Sequence, residues 1–253
     1  TMPLVIEEPL SFVGAGGARL SGIVRRPDGD VHGAVLMAHC FTCSKDLHTT
    51  TRLARALVDG GFVTLAFDFT GLGDSEGDFT SSTVSTDVGD LTRAAMAMIE
   101  QGYGPCVLLG HSLGGAAAVL AASRLHTVDA VVCVASPSDV DHIRHLFPPD
   151  AGSDDGAFTA SIGGRPFRIG AGFLDDLDRH DVRTAAGSLD VPVLVVEAGA
   201  DRVVGADQTR ALAAAAGAEL VTIPEADHLF TDPSHARRLG EIVVEWVRTT
   251  TSR

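Results

Sequence analysis

Lysine is almost missing from this sequence. Of its 19 basic residues only Lys45 is a lysine, and 33 acidic residues bring the formal net charge to -14. A chain so poor in positive charge, with no basic patch, is not built to bind nucleic acid, and an anionic membrane surface would repel it. Long apolar runs are missing too: none reaches the roughly 18 residues that a membrane-spanning helix needs. The first ten residues carry Glu7 and Glu8 and lack the basic stretch of a secretory leader. No export signal is therefore expected, and the expected location is the cytoplasm. Cysteine is scarce, at positions 40, 43, 106 and 133. Cys106 and Cys133 lie in apolar runs, where a thiol behaves as a small hydrophobe. Cys40 and Cys43 form a Cys-x-x-Cys, expected as reduced thiols in a chain without an export signal. A zinc site would need two further ligands at suitable spacing, and none stands out, so no metal and no cofactor are expected.

What is present is enough for one large α/β domain over residues 1–253, with 45% apolar residues to fill its core. Strand-like and helix-like segments alternate. Residues 10–13 and 20–24 read as a hairpin around a glycine-rich turn, and 34–38 as a buried strand. A helix over 49–58 is closed by Gly60-Gly61, and a strand follows at 63–67. Apolar spacing at Val84, Val88, Leu91, Ala95 and Met98 predicts a helix over 84–99. Strands at 106–109 and 130–135 flank an alanine-rich helix over 113–123. From 136 to 190 the rhythm breaks at Pro148-Pro149, at the run 152–156 and at Gly163-Gly164, leaving room for short helices near 142–147 and 172–177. This stretch reads as a small cap insertion over a core site. The alternation resumes with a strand at 193–198, a helix at 206–216 and a strand at 219–223. A final helix starts at Asp232-Pro233 and runs to about residue 248. Such an order implies a mostly parallel sheet with helices on both faces.

Gly110-His111-Ser112-Leu113-Gly114 stands between a strand and a helix. This Gly-x-Ser-x-Gly spacing makes a sharp, strained turn that exposes the serine, with glycines giving room for strand and helix to approach. The helix N-terminus favours negative charge developing there. A serine hydroxyl needs a base, and in this arrangement the acid and then the histidine follow in the chain. His228, after the strand at 219–223, occupies the loop expected of the base; its rival His235 falls inside the final helix. Asp201, after the strand at 193–198, is the candidate acid that fixes the imidazole tautomer, with Glu197 and Asp207 as rivals inside a strand and a helix start. The loop after the strand at 34–38 supplies one oxyanion donor and the residue after the nucleophile the other, which assigns the role to the backbone N–H groups of Phe41 and Leu113.

The runs His39-Cys40-Phe41-Thr42-Cys43-Ser44-Lys45-Asp46-Leu47, Phe67-Asp68-Phe69-Thr70-Gly71-Leu72-Gly73-Asp74-Ser75-Glu76-Gly77 and Gly110-His111-Ser112-Leu113-Gly114-Gly115 together resemble the α/β-hydrolases found fused to an OsmC-like domain. Arg165-Pro166-Phe167-Arg168-Ile169 and Ala226-Asp227-His228-Leu229 are similar as well, so the resemblance spans about residues 8–246. It implies the α/β-hydrolase fold, carboxylesterase chemistry on short to medium acyl esters, and an OsmC-like domain as partner. Related esterases usually carry glycine at the two cysteine positions. Cys40 and Cys43 are then either small polarisable replacements for those glycines or a redox pair that reshapes the oxyanion hole. Residues 68–77 read as a structural turn, and His39 as a brace of the oxyanion loop. Phe147, Phe167, Ile169, Phe173 and Leu174 of the cap are the candidate lining of an apolar acyl pocket. The leading expectation is hydrolysis of a carboxylic ester through an acyl-enzyme. Thioesterase or acyltransferase chemistry would use the same residues, and a non-catalytic module that hands a ligand to an OsmC-like redox partner is the reading from another class.

Overall fold

A computed structural model describes residues 5–104, 106–151 and 156–251. β1 (Val5–Val13) and β2 (Arg19–Pro27) form an antiparallel hairpin, and β2 pairs antiparallel with β4 (Phe62–Phe67). Beyond β4 every pairing is parallel, through β3 (Gly33–Ala38), β5 (Cys106–His111), β6 (Val128–Val134), β9 (Val193–Ala198) and β10 (Glu219–Ile223). The order across the eight strands is β1-β2-β4-β3-β5-β6-β9-β10. This is the mostly parallel sheet that the alternation of elements implied.

Side chains of a strand alternate between faces, and here both faces are buried, which is why the central strands read as unbroken apolar runs. Leu36, Leu108, Val131 and Val195 point to one side, where they meet α2 (Val84–Glu100), α3 (Leu113–Ala122) and α6 (Ala206–Ala216) through Leu91, Ala118 and Leu212. Val35, Val107, Val132 and Val196 point to the other, against α1 (His48–Asp59) and α7 (Pro233–Thr251) through Leu57 and Val243. Each such leucine or valine contributes about 1.5–3 kcal/mol by leaving water. The helix ends follow local chemistry. Thr83 and Thr86 close a reciprocal capping box on α2, and Asp232 accepts the Ser234 N–H at the start of α7.

Residues 136–190, between β6 and β9, are more ordered than their sequence suggested. The short helix expected near 142–147 is a 3-10 helix, Val140–Leu146. Gly163-Gly164 does not interrupt structure. Both glycines take positive φ, 57° and 76°, as a two-residue type I′ turn demands, and they join β7 (Phe158–Ile162) to β8 (Arg165–Ile169) in an antiparallel hairpin. α4 (Gly172–Leu177) and α5 (Val182–Gly187) complete the segment. Of the break expected at 152–156, residues 152–155 lie outside the described residues. Asp176 of α4 accepts both the backbone N–H and the hydroxyl of Ser85, at 2.7 and 2.6 Å, and so fastens the segment to the first turn of α2. Among the described residues no helix is long and apolar enough to cross a membrane.

Candidate active site

The chemistry-bearing residues gather at the carboxyl ends of the parallel strands, where open α/β sheets place their sites. Ser112 follows β5 with φ 55° and ψ -127°, a conformation that costs a non-glycine residue on the order of 1–3 kcal/mol. Packing maintains it. A Cβ on Gly110 would come within 2.1 Å of the Gly114 carbonyl oxygen, and one on Gly114 within 2.4 Å of the His39 carbonyl oxygen. The strand, the helix and the loop after β3 therefore meet at distances only glycine permits.

His228, after β10, places Nδ1 2.8 Å from Oδ2 of Asp201, after β9. The carboxylate accepts, so Nδ1 carries the proton, and the lone pair of the neutral tautomer belongs to Nε2. The other carboxylate oxygen, Oδ1, accepts the N–H groups of Val203 at 2.7 Å and Val204 at 3.1 Å, which fixes the carboxylate in place. Burial pushes the Asp201 pKa up, but the His228 hydrogen bond and charge and these two amides outweigh it, and the net shift is downward. Its rivals are engaged elsewhere or lie apart: Glu197 is buried in β9 and paired with Arg210 at 2.8 Å, and Asp207 lies in the first turn of α6. His235 lies within α7.

Among the described residues no hydrogen bond joins the Ser112 hydroxyl to the His228 ring; their loops are joined one residue away. His111 Nε2 lies 2.7 Å from the His228 carbonyl oxygen, and the two rings lie 5.0 Å apart. A carbonyl only accepts, so His111 donates from Nε2. Burial, reinforced by the neighbouring His228, lowers its pKa to about 3. A second tie comes from α1, where the Thr49 hydroxyl donates to the Leu229 carbonyl. Sequence reasoning missed the role of His111. Its signal was a polar ring inside an otherwise small, apolar elbow.

On the opposite side, Phe41 and Leu113 wall a single crevice of about 10 Å³ together with Thr42 and Gly114. Among the described residues neither the Phe41 nor the Leu113 N–H donates to a backbone or side-chain acceptor. The loop after β3 departs from expectation at the cysteines. Cys40 and Cys43 are joined in a disulfide rather than held as thiols. A tight turn, with the Cys43 N–H donating to the Cys40 carbonyl at 3.1 Å, brings their Cα atoms to 5.3 Å, well within disulfide reach. Cys106 and Cys133 are buried free thiols, pushed up to about 12 by burial.

The single lysine anchors this loop. Lys45 is 3% exposed, and its Nζ donates to Asp68 at 2.7 Å and Asp74 at 2.6 Å. Asp68, fully buried after β4, also accepts the backbone N–H of Lys45 at 2.7 Å and of Asp74 at 2.9 Å. Burial lowers the lysine pKa, but these contacts outweigh it and raise it, so the pair is ionic. The turn at 68–77 is thus structural, as read, but it works through a buried ion pair that the reading missed. A lone lysine beside a conspicuous motif in so acidic a chain was the available signal. His39 braces the loop, its Nδ1 donating to the Cys40 carbonyl at 2.8 Å while Nε2 accepts the Phe69 N–H at 3.3 Å.

The cap residues divide. Ile169 and Phe173 are closed into the core, at 0% and 2% exposure, while Phe147, Phe167 and Leu174 are half-buried. The Phe173 ring lies 5.2 Å from Phe41 and 5.9 Å from Phe147, so an aromatic wall runs from the oxyanion loop into the cap. Phe167 lies with Phe79 on a groove of about 570 Å³. Among the described residues no three histidine, cysteine, aspartate or glutamate side chains are gathered to hold a metal ion.

Comparison with known proteins bears on the whole arrangement. A family model described as the alpha/beta hydrolase family matches residues 31–241. The esterase domain of a Rhodothermus marinus protein superposes with a TM-score of 0.81 at 34% identity, covering 98% of this chain and 100% of that one. Est1E of Butyrivibrio proteoclasticus, solved with ferulic acid bound, shares the fold with a TM-score of 0.80 at 20% identity, covering 96% of this chain and 99% of that one. Human protein ABHD12B is 40% identical over 88 residues; the match takes in 32% of this chain and only 23% of that protein's length.

Proposed function

The chain belongs to the alpha/beta hydrolase family, and we propose that it is a serine esterase that cleaves carboxylic esters of short to medium acyl length through an acyl-enzyme. The observation that carries this reading is the Asp201–His228 hydrogen bond of 2.8 Å, set beside a serine in strained backbone geometry at the N-terminus of α3. The esterase character of the Rhodothermus marinus relative supports it. Nε2 of His228 takes the proton of Ser112 as Oγ attacks the acyl carbon. The oxygen that becomes negative is received by the N–H groups of Phe41 and Leu113, each worth on the order of 3 kcal/mol in the transition state. His228 then gives its proton to the departing alcohol. In the second half it takes a proton from water as the water oxygen attacks the acyl carbon, and returns that proton to Ser112 Oγ as the bond from Oγ to the acyl carbon breaks and the acid leaves. Asp201 holds the tautomer and stabilises the imidazolium without accepting the proton. The half-buried Phe41 and Phe147 rings, backed by buried Phe173, offer the acyl chain an apolar surface, with Phe167 and Leu174 further along the cap. Turnover of p-nitrophenyl butyrate by the wild type, lost in Ser112→Ala, is the expected result; equal turnover by the two would discard the assignment.

A further inference from the structure

The Cys40–Cys43 disulfide takes no part in the proton relay, yet it closes around the residue assigned as oxyanion donor. We propose that this disulfide is a positioning element for the Phe41 N–H, and that opening it slows ester hydrolysis by releasing that amide from the oxyanion hole. The inference rests on the esterase reading above.

Three observations converge on it. Cys40 and Cys43 bracket Phe41 and Thr42 within a single covalent ring. Inside that ring Thr42, a β-branched residue, sits at φ 61°, in the left-handed region that such residues avoid. Its hydroxyl donates to the Phe41 carbonyl at 2.6 Å, a contact within the same short turn that follows the turn wherever it moves. Finally, the fixed points of the loop lie outside the ring or at its rim: His39 at the Cys40 carbonyl and Phe69, and Lys45 at Asp68. Between them the Phe41 ring rests on Phe79 and Phe173, at 5.7 and 5.2 Å. That packing holds the side chain, while the planar Cys40–Phe41 peptide that carries the Phe41 N–H is held at its carbonyl by the His39 ring at 2.8 Å and by the Cys43 N–H at 3.1 Å. Loss of the disulfide frees Cys43 to draw its N–H away from the Cys40 carbonyl as Thr42 relaxes toward ordinary φ, and the Cys40–Phe41 peptide, left with the His39 tie alone, turns its N–H out of line.

The bond is open to attack from one side. Cys40 is 4% exposed and Cys43 is half-buried. A dithiol such as dithiothreitol attacks Sγ of Cys43 through one thiolate, and the Cys40 thiolate leaves. The second thiol of the reagent then closes on its own sulfur and releases Cys43. Two electrons pass to the protein, two protons end on Cys40 and Cys43, and the reagent becomes a cyclic disulfide. The free thiols Cys106 and Cys133 are buried in the sheet and offer no competing partner.

The test compares three forms on p-nitrophenyl butyrate: the disulfide form, the dithiothreitol-treated form with free Cys40 and Cys43 verified by alkylation and peptide mass, and Cys40→Ser/Cys43→Ser, in which the ring is open whatever the reductant does. The expected result is a kcat lower by about tenfold in both open forms, with KM changed by less than about twofold and recovery on reoxidation of the reduced wild type alone. A loop that served stability alone would instead lower the melting temperature and leave kcat per folded molecule unchanged. Equal or faster turnover by the open forms overturns the inference and leaves the esterase reading standing. Absence of Ser112-dependent turnover in the disulfide form removes the esterase reading itself.

Discussion

The two sides of the candidate site are held in place by different means. On the side proposed to carry the base, Asp201 and His228 sit on loops after neighbouring parallel strands, and hydrogen bonds fix them: the Val203 and Val204 N–H groups donate to the carboxylate, and neutral His111 donates to the His228 carbonyl. On the oxyanion side, the loop after β3 is held by a disulfide and a buried ion pair, Cys40–Cys43 and Lys45–Asp68. In the proposed mechanism this side lets an imidazole gain and lose a proton, and hydrogen bonds alone hold it, the carboxylate being the one charged group among its supports. In the same mechanism the loop after β3 keeps an N–H aimed at a point in space, and to the His39 hydrogen bonds it adds a covalent bond and a buried ion pair.

Breaking the base side at its acid carries the largest expected effect. Asp201→Asn keeps the shape but favours the wrong imidazole tautomer, and kcat on p-nitrophenyl butyrate should fall by about 10⁴-fold. On the oxyanion side, Lys45→Met leaves the Asp68 carboxylate buried without its cation, a loss of about 3 kcal/mol or more in a chemical-denaturation experiment. Lys45→Met/Asp68→Asn should regain much of that, because no charge is then left uncompensated. The neutral tie is expected to matter less. His111→Leu should lower kcat by about tenfold with KM little changed, and His111→Gln, which keeps a donor, should recover most of it. Because His111 stays neutral above about pH 3, His111→Gln should leave the pH profile between 5 and 9 unmoved; a new titration limb there would show that His111 carries a proton in the working enzyme.

The smallest effect lies behind the oxyanion crevice, at Asp87 of α2. Burial and the nearby Asp90 and Asp176 carboxylates raise its pKa, partly offset by the Ser82 hydrogen bond. A carboxyl whose folded pKa is raised contributes stability below its unfolded pKa, near 3.9, and loses it as pH climbs through the folded value. Asp87→Asn should therefore melt higher than wild type at pH 8, by the equivalent of about 1 kcal/mol, and the gap should close as pH falls toward 4.

The same contrast sets what could be read before the structure. The proposed acid, base and nucleophile stand out in the sequence because their signals are local: a histidine and an aspartate each follow a short apolar run by a few residues, and Gly110 and Gly114 frame Ser112. The oxyanion side was only half visible. Its loop position followed from the order of strands, but Lys45 and Asp68 are 23 residues apart and meet only because β3 and β4 are parallel neighbours. Reduced thiols are the default on grounds of cellular compartment, with a redox pair as the alternative, and that prior says nothing about the turn bringing Cys40 to Cys43. The hairpin in residues 136–190 was lost because Gly163-Gly164 was taken as a break, although paired glycines are also what a tight hairpin turn requires.

The most direct measurement is the reaction of the protein with a fluorophosphonate, followed by intact mass and peptide mapping. The account predicts one phosphonyl group per chain, on Ser112, acquired by the wild type, far more slowly by Asp201→Asn, and not at all by Ser112→Ala. A wild-type protein that remained unmodified, or that carried the label at another residue, would contradict it.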